Sequence, residues 1–459
     1  MALNISELIN EKRPEQFTLY NQHLNHQLLH VLKTLGFDKK YVRAENQYLY
    51  DEEGNRYLDL LSGYGVYPFG RNHPNVIQAL KQTLDLQLAN MVQFDAPLLA
   101  ACCAEKLAKF LPAHLNKFFF CNSGTEAVEG AIKFAKAATR REKLLSCESG
   151  FHGLTTGSLA INGSEVFKKD FYPLLASQQV PFNDLAALET ALKTKQFACF
   201  VLEPIQGKTV LIPSNDYLPQ VSRLCQKYGT LLIIDEVQTG MGRTGQFLAS
   251  QHWPKTEADI ITLSKALSGG FIPVGVIAMR PEIFAKTYKN MEHAVVHSCT
   301  FGRNDLAMAA ALAALDLVEE QDLLTQATDN GAKLLSKLQE KLSPFEMVKE
   351  VRGKGMMIGI EFCPPKSLML KTGWALLEAA SKGLFCQLIV IPLFRDFRML
   401  TQVAGPNVHI VKLIPPITLS EQDIEDTADA FAQVVAQAHR FPGAIWDLGK
   451  TLAVHSIKK

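Results

Sequence analysis

The sequence predicts an α/β protein: a large, mostly parallel sheet covered by helices, with a smaller α+β domain beside it. Three observations carry that reading. From about residue 75, short apolar strands alternate with helical stretches, the order that a parallel sheet with crossover helices requires. Four of those strands end in distinctive polar residues (NSGTEA, ESGFHG, EPIQG and DEVQTG), which marks one edge of the sheet as a ligand site. Near residue 345 the texture changes to EMVKEVRGKGMMIGIEF and shorter mixed elements. These shifts divide the chain into a segment 1–74 that joins the small domain, a large domain 75–344 and the small domain proper, 345–459.

Taken in order, residues 16–35 (QFTLYNQHLNHQLLHVLKTL) repeat apolar residues at helical spacing and read as one amphipathic helix. YLYDEEGNRYLDL (48–60) reads as a hairpin, two alternating strands around an Asp-Glu-Glu-Gly-Asn turn. KFFFCN (117–122) is a short strand that leads into the helix GTEAVEGAIKFAKAATR. KLLSCES (143–149), ACFVLEP (198–204), TLLIIDEV (230–237) and DIITLSK (259–265) are further strands, with helices such as LPQVSRLCQKYG between them. The last part holds a helix near 372–383, the stretch VHIVKLIPPITLS and a final helix. CQLIVIPLFRDFRMLTQVAGPN (386–407) carries no catalytic motif and, lying shortly before the Pro-Pro turn, is expected to cover the mouth of the site.

Bulk properties narrow the function. At 459 residues the chain exceeds the size at which single cores stop growing. Hydrophobic residues make up 47% and charged residues 20%, ordinary values for a globular protein. Lys+Arg 47 against Asp+Glu 46 leaves a net charge of +1, so no basic surplus draws nucleic acid or an anionic membrane. Nine cysteines without a C-x-x-C pair form neither a disulfide framework nor a metal site, and they point to a reducing, cytoplasmic setting. The opening MALNISELINEKRPEQF is too polar for a signal peptide, and no apolar run reaches the length of a membrane span.

The chemistry lies at the strand ends. In TLSKALSGGFIPVG, Lys265 sits between two serines with Gly269 and Gly270 behind it. A lone lysine there reads first as one that snorkels to the surface; desolvated, the same amine has a lowered pKa and becomes a nucleophile toward carbonyls. Ser123, Gly124 and Thr125 open a helix, where backbone N–H groups and hydroxyls suit a phosphate; they equally make an ordinary N-cap. Asp235 ends an apolar strand and can pair with a cation or a protonated ring nitrogen, or cap a turn. Gln238, Thr239, Gly240, Gly242 and Gly245 follow as a flexible polar loop. Phe151 can stack on a planar ligand, or pack in the core, and His152 beside it can be structural. A carbonyl-reactive lysine, a phosphate cradle, an aromatic slab and a carboxylate together make the parts of a pyridoxal-phosphate site.

The stretches DEEGNRYLDLLSGYGV, NSGTEAVEGAIKFAK, FHG, EPIQG, DEVQTGMGRTG, SKALSGG, CTFGRND and VRGKGMMIGIEF, in this order, resemble the class III (ω-amino-acid) aminotransferases of pyridoxal-phosphate fold type I. The resemblance covers about residues 45 to 420 and implies a ping-pong transaminase. Lys265 would be the Schiff-base lysine and proton shuttle, and Asp235 would pair with the pyridine nitrogen. Phe151 and Val237 would sandwich the ring, and Gln238 would lie near its phenolic oxygen. Ser123, Gly124 and Thr125 would hold the phosphate, with Thr300 reaching it from the partner of a homodimer. His152 and Glu203 would complete the cofactor site, and Tyr64 would face the substrate.

The substrate positions depart from the family pattern. Where ornithine-type members have an arginine before the Pro-Pro turn and a glutamate after EPIQG, this chain has Lys412 and Lys208. Lysine is a poor bidentate fork for a carboxylate, so the grip on substrate is altered; Lys208 and Lys412 are candidates to meet an acidic substrate or product, or are simply exposed. Leu154 stands where an arginine often follows F-x-G. The implied reaction transfers an amino group from an ω-amino acid, diamine or related primary amine to an oxo acid. The alternatives are a 2,1-aminomutase of the same class, needing no external oxo acid, an ornithine or acetylornithine transaminase with an altered carboxylate grip, and a non-enzymatic binding module of the same fold.

Overall fold

The computed structural model describes residues 3–92, 94–380, 382–405, 409–440, 442–443, 446 and 449. Three sheets organise them. The first is built by the N-terminal strands β1 (Tyr41–Glu45), β2 (Tyr48–Asp51) and β3 (Arg56–Asp59), paired antiparallel, with the turn between β2 and β3 tied by Asp51 to Asn55. The expected hairpin is therefore present.

The central sheet has seven strands: β4 (Lys117–Cys121), β5 (Lys143–Cys147), β6 (Ser177–Val180), β7 (Phe197–Leu202), β8 (Leu231–Asp235), β9 (Ile260–Leu263) and β10 (Gly275–Met279). Their spatial order is β4-β10-β9-β8-β7-β5-β6. All run parallel except β10, which is antiparallel to both neighbours, β4 and β9. Strands β7, β9 and β10 are buried along their whole length, which explains why they read as unbroken apolar runs. The helix Gly124–Thr139 lies against this sheet and buries Ala127, Val128, Ala131, Ile132, Phe134 and Ala135 on one side. Carboxyl ends of β4, β5, β7, β8 and β9 consequently share one edge, the crevice where open α/β sheets bind ligands.

The third sheet, ordered β11-β12-β15-β14, consists of β11 (Val348–Lys354), β12 (Met357–Phe362), β14 (Gln402–Ala404) and β15 (Ile410–Leu413); β13 (Met399–Leu400) instead joins the first sheet, parallel to β3. Lys412 on β15 faces Gly359 of β12 and Gln402 of β14 across the ladder. The last helix, Glu421–Ala438, starts from a capping box between Ser420 and Asp423.

Two expectations are corrected. Residues 16–35 form two helices, Gln16–His23 and His26–Leu35, because the Asn25 side chain accepts the Leu28 N–H at 3.0 Å and starts a new N-terminus. The stretch 386–407 is not a cover over the site. Its first part lies in the helix Leu384–Phe397, which buries ten of the eleven residues from Leu384 to Phe394, all but Gln387, and its strands β13 and β14 complete two sheets. Its last two residues, and Val408 at the head of VHIVKLIPPITLS, lie outside the described residues. The helix expected near 372–383 spans Leu368–Ala380. Among the described residues no single helix is long and apolar enough to cross a membrane.

Candidate active site

Lys265 follows β9 directly, in the loop that turns back into β10. Its backbone is left-handed, with φ +43°, a conformation that costs a non-glycine residue on the order of 1 kcal/mol or more. Ser264 closes the loop base by donating its hydroxyl to the Val274 carbonyl at 2.7 Å. Burial of the amine pushes its pKa below the usual lysine value; Arg243 adds to this, while Asp235 and Glu203 oppose it. Among the described residues no hydrogen bond or ion pair engages the amine.

Asp235, at the end of β8, is enclosed and fully used. Its Oδ1 accepts the Val237 N–H at 3.0 Å and the Thr262 hydroxyl at 3.1 Å, and its Oδ2 meets His152 Nδ1 at 2.8 Å. His152 sits after β5, its N–H held by Asn162 Oδ1 at 2.8 Å. Burial lowers the His152 pKa, but the contact and charge of Asp235 outweigh it, so the net shift is upward. The other ring nitrogen, Nε2, is buried without a partner. Glu203, after β7, accepts the Phe151 N–H at 3.1 Å and the Gly207 N–H at 2.8 Å, and burial raises its pKa.

The NSGTEA turn caps its helix and gathers hydroxyls at the helix N-terminus. Ser123 is an N-cap, accepting the Glu126 N–H at 3.2 Å. Gly124 packs against Val237, two residues beyond β8: an added Cβ would lie 2.7 Å from Val237 Cγ1. The Thr125 hydroxyl meets those of Thr155 and Ser158, each at 2.8 Å, and forms a hydroxyl cluster at the helix N-terminus. Thr155 and Ser158 went unread in the sequence, although LTTGS right after FHG was a visible run of hydroxyls.

The substrate side is arranged differently from the expectation of two lysines facing a ligand. Lys412 is buried, and its Nζ donates to the Gly207 carbonyl at 2.7 Å and to Gln238 Oε1 at 3.3 Å. Gln238 donates its Nε2–H to the Tyr64 carbonyl at 3.1 Å. Tyr64 is exposed and belongs to a run of positive φ from Ser62 to Gly65, a left-handed turn pinned by Ser62 to the Ile414 carbonyl at 2.6 Å. Lys208 lies over two rings, 4.8 Å from the Phe151 centroid and 4.0 Å from the Phe167 centroid, and burial lowers its pKa. Among the described residues no carboxylate pairs with it. Leu154 is exposed.

The loop after Asp235 is not flexible. Glu236 accepts the Thr239 hydroxyl at 2.5 Å, the Ala249 N–H at 2.9 Å and the Ser250 N–H at 2.8 Å, and most of the loop is buried. Arg243, unremarked in the sequence, is buried there against the Met356 and Pro415 carbonyls, with Nη2 unpartnered and its pKa pushed down to about 9. Thr300 is exposed, on a segment whose neighbours Val295, Val296 and Phe301 are exposed as well. It does not reach the Thr125 cluster of its own chain by any hydrogen bond among the described residues.

An unengaged buried amine after β9, a carboxylate ending β8 whose charge acts on it, and a hydroxyl-lined helix N-terminus after β4 are the parts of an enzyme that uses a carbonyl-bearing, phosphorylated cofactor. The chain belongs to the class-III aminotransferases, whose family model matches residues 35–435. It is 34% identical over 462 residues to the aminotransferase PigE of a Serratia species, covering 94% of this chain and 54% of that one. The chain thus spans about half the length of this curated relative. Among solved structures it resembles an ornithine aminotransferase of Toxoplasma gondii (TM-score 0.80, 24% identity, 96% and 99% of the two chains). It also resembles a PLP-bound amine transaminase from an uncultivated Pseudomonas species (TM-score 0.76, 29% identity, 87% and 95%).

Pyridoxal phosphate is the cofactor of this family, and the site fits it. The amine of Lys265 is unengaged, His152 Nε2 is orphaned, and three hydroxyls cluster at a helix N-terminus that Gly124 leaves open. Fold class and cofactor expected from the sequence therefore stand.

Proposed function

We propose that this protein is a transaminase that moves an amino group from an ω-amino acid, diamine or related primary amine to an oxo acid. The carrying observation is the unpaired Lys265 amine, lowered in pKa, beside the Asp235–His152 pair. Pyridoxal phosphate, when bound, supplies the electron sink for breaking the C–H bond next to the transferred nitrogen. Lys265 Nζ would take that proton and deliver it to the carbon on the other side of the transferred nitrogen, a 1,3-shift that needs an amine neutral part of the time. Asp235, itself steadied by His152 and Thr262, holds a proton on the ring nitrogen. Ser123, Gly124 and Thr125 bind the phosphate, and Phe151 and Val237 hold the ring between them. Glu203 orients Phe151 through its N–H.

Donor and acceptor would use the site in turn, in ping-pong order. Lys208, free of any carboxylate among the described residues, is the cation that meets the acid group of the oxo acid; Tyr64 borders the same space. Lys412 is already committed to Gly207 and Gln238, so the reading favours substrates that need no bidentate carboxylate fork.

The domain boundaries 75–344 and 345–459, with residues 1–74 joining the small domain, belong to the same reading. So do a cytoplasmic location, supported by nine free cysteines, and a homodimer in which Thr300 serves the neighbouring site, supported by its exposed, apolar surroundings.

A panel of ornithine, acetylornithine, putrescine, 4-aminobutyrate and alanine against oxoglutarate, pyruvate and an aldehyde tests this function. The expected result is a loss of the visible cofactor band with at least one amine and its return with an oxo acid. Bleaching by no amine in the panel would defeat the reading.

A further inference from the structure

We propose that Lys412 is a positioning residue that fixes the orientation of the Gln238 amide, and with it the hydrogen bond offered to the cofactor's phenolic oxygen. The inference rests on the transaminase reading, in which Gln238 lies near that oxygen.

The argument is one of donors and acceptors. A glutamine amide has two chemically different ends, and nothing in its shape decides which way round it sits. Here a donor on one side and an acceptor on the other together hold it. Protonated, Lys412 Nζ only donates, so at 3.3 Å it can face only the amide oxygen; as the neutral amine it still has one N–H for each of the Gly207 and Gln238 oxygens. A backbone carbonyl only accepts, so the Tyr64 oxygen, 3.1 Å away, can face only the amide nitrogen. The amide is therefore held one way round, with its NH2 group on the Tyr64 side. One N–H is spent on Tyr64 and the second remains for a ligand oxygen.

The surroundings show what this arrangement costs. Lys412 is buried, its cross-strand neighbours Gly359 and Gln402 carry no charge, and no carboxylate hydrogen-bonds to it among the described residues. Of the charged groups acting on it, Lys265 and Lys208 are repulsive, and only Glu203 is attractive. A buried cation with two carbonyl acceptors and two like charges nearby is poor material for stability. Gly207 is shaped to the same end. A Cβ there would lie 2.6 Å from Gln238 Oε1 and 2.7 Å from Glu203 Oε1, so only glycine lets its carbonyl and the amide meet the same ammonium.

The test is a pH titration of the visible band of the cofactor-loaded protein, in wild type, Lys412→Met, Lys412→Arg, Gln238→Ala and the double variant Lys412→Met/Gln238→Ala. Lys412→Met is expected to move the band's midpoint by roughly one pH unit. Lys412→Arg, also a pure donor, should restore most of the wild-type value. In the Gln238→Ala background Lys412→Met should add almost nothing, because the residue acts through the amide. An equal shift in both backgrounds would mean that Lys412 acts by its charge alone, and no shift in Lys412→Met would mean that it does not act; either overturns the inference. Should Lys412→Met fail to fold, Lys412→Leu enters the same cycle. A wild-type protein that gives no visible band on loading overturns the transaminase reading itself, and this inference with it.

Discussion

His152 and Asp235 meet at 2.8 Å between Nδ1 and Oδ2, with both side chains buried, while the far nitrogen of the same imidazole has no partner. The carboxylate is thus aligned by a ring whose other end is free. Replacing Asp235 by Asn is expected to lower kcat by about 10²- to 10³-fold, the loss typical for one preorganised charge. His152→Leu should cost less, about 10-fold, because Thr262 and the Val237 N–H still hold Asp235. Single-turnover kinetics would show the ranking; an equal loss in both would contradict it.

Lys265 should be separable into its chemistry and its backbone. Lys265→Ala and Lys265→Gly both remove the amine, and neither should turn over. At φ +43° alanine keeps the strain that glycine relieves. The glycine variant should be more stable by about 1 kcal/mol in urea unfolding of the cofactor-free protein. A more stable alanine variant would refute the strain.

Gly207→Ala adds a methyl group where 2.6 Å separates it from Gln238 Oε1. We expect about 1–3 kcal/mol of lost stability and a displaced Gln238. A variant with wild-type stability and an unmoved cofactor spectrum would show that the loop yields easily.

Lys208→Met should spare the aromatic packing of Phe151 and Phe167 while removing the charge. The KM for the oxo acid is expected to rise roughly tenfold, with the amine half-reaction nearly unchanged. A rise confined to the amine would place the carboxylate elsewhere.

Lys412 makes a pH signature in stability. Burial, with repulsion from Lys265 and Lys208, pushes its pKa from the ordinary 10.5 down to about 7. Between those values the unfolded chain carries a proton that the folded chain has released. Stability therefore gains with rising pH in that window, by at most about 1.4 kcal/mol per unit from this group. Below the window the folded lysine is charged and the burial penalty is complete. Lys412→Met lacks this slope, so its advantage over wild type should be largest at pH 6 and shrink toward pH 10 in urea titrations. A difference constant across that range would remove Lys412 as the source.

Much of this was open to reading in the primary structure, for identifiable reasons. Strands such as Leu231–Asp235 announce themselves because a strand covered on both faces is apolar throughout, and the residue that ends it must face the crevice. The reversal of β10 left no trace in GVIAM, since a buried strand reads alike in both directions. Asn25 interrupts a helical periodicity that continues on its far side, so one helix was expected where two occur. The helix Leu384–Phe397 was not legible: it is buried on nearly all sides and carries Pro392, so no polar face sets a helical period in LFCQLIVIPLF. Lys412 shows the harder limit. Its identity and position were plain, but whether its side chain points to the ligand or into Gln238 depends on the register of β15 against β12 and β14.

The loop that carries Lys265 leaves β9 and returns in β10, its immediate antiparallel neighbour, with Leu263 opposite Val276. Both anchors lie in the interior of a seven-stranded sheet, and the Ser264 hydroxyl staples the loop at its neck. Loosening it therefore requires separation of two central strands, an event near the top of the free-energy scale for local opening. The amides flanking the lysine inherit that protection, and their deuterium uptake should track global unfolding more closely than that of the exposed segment around Thr300. In the proposed reaction the reach of Lys265 would then come from its side chain, swinging from a backbone that the sheet holds.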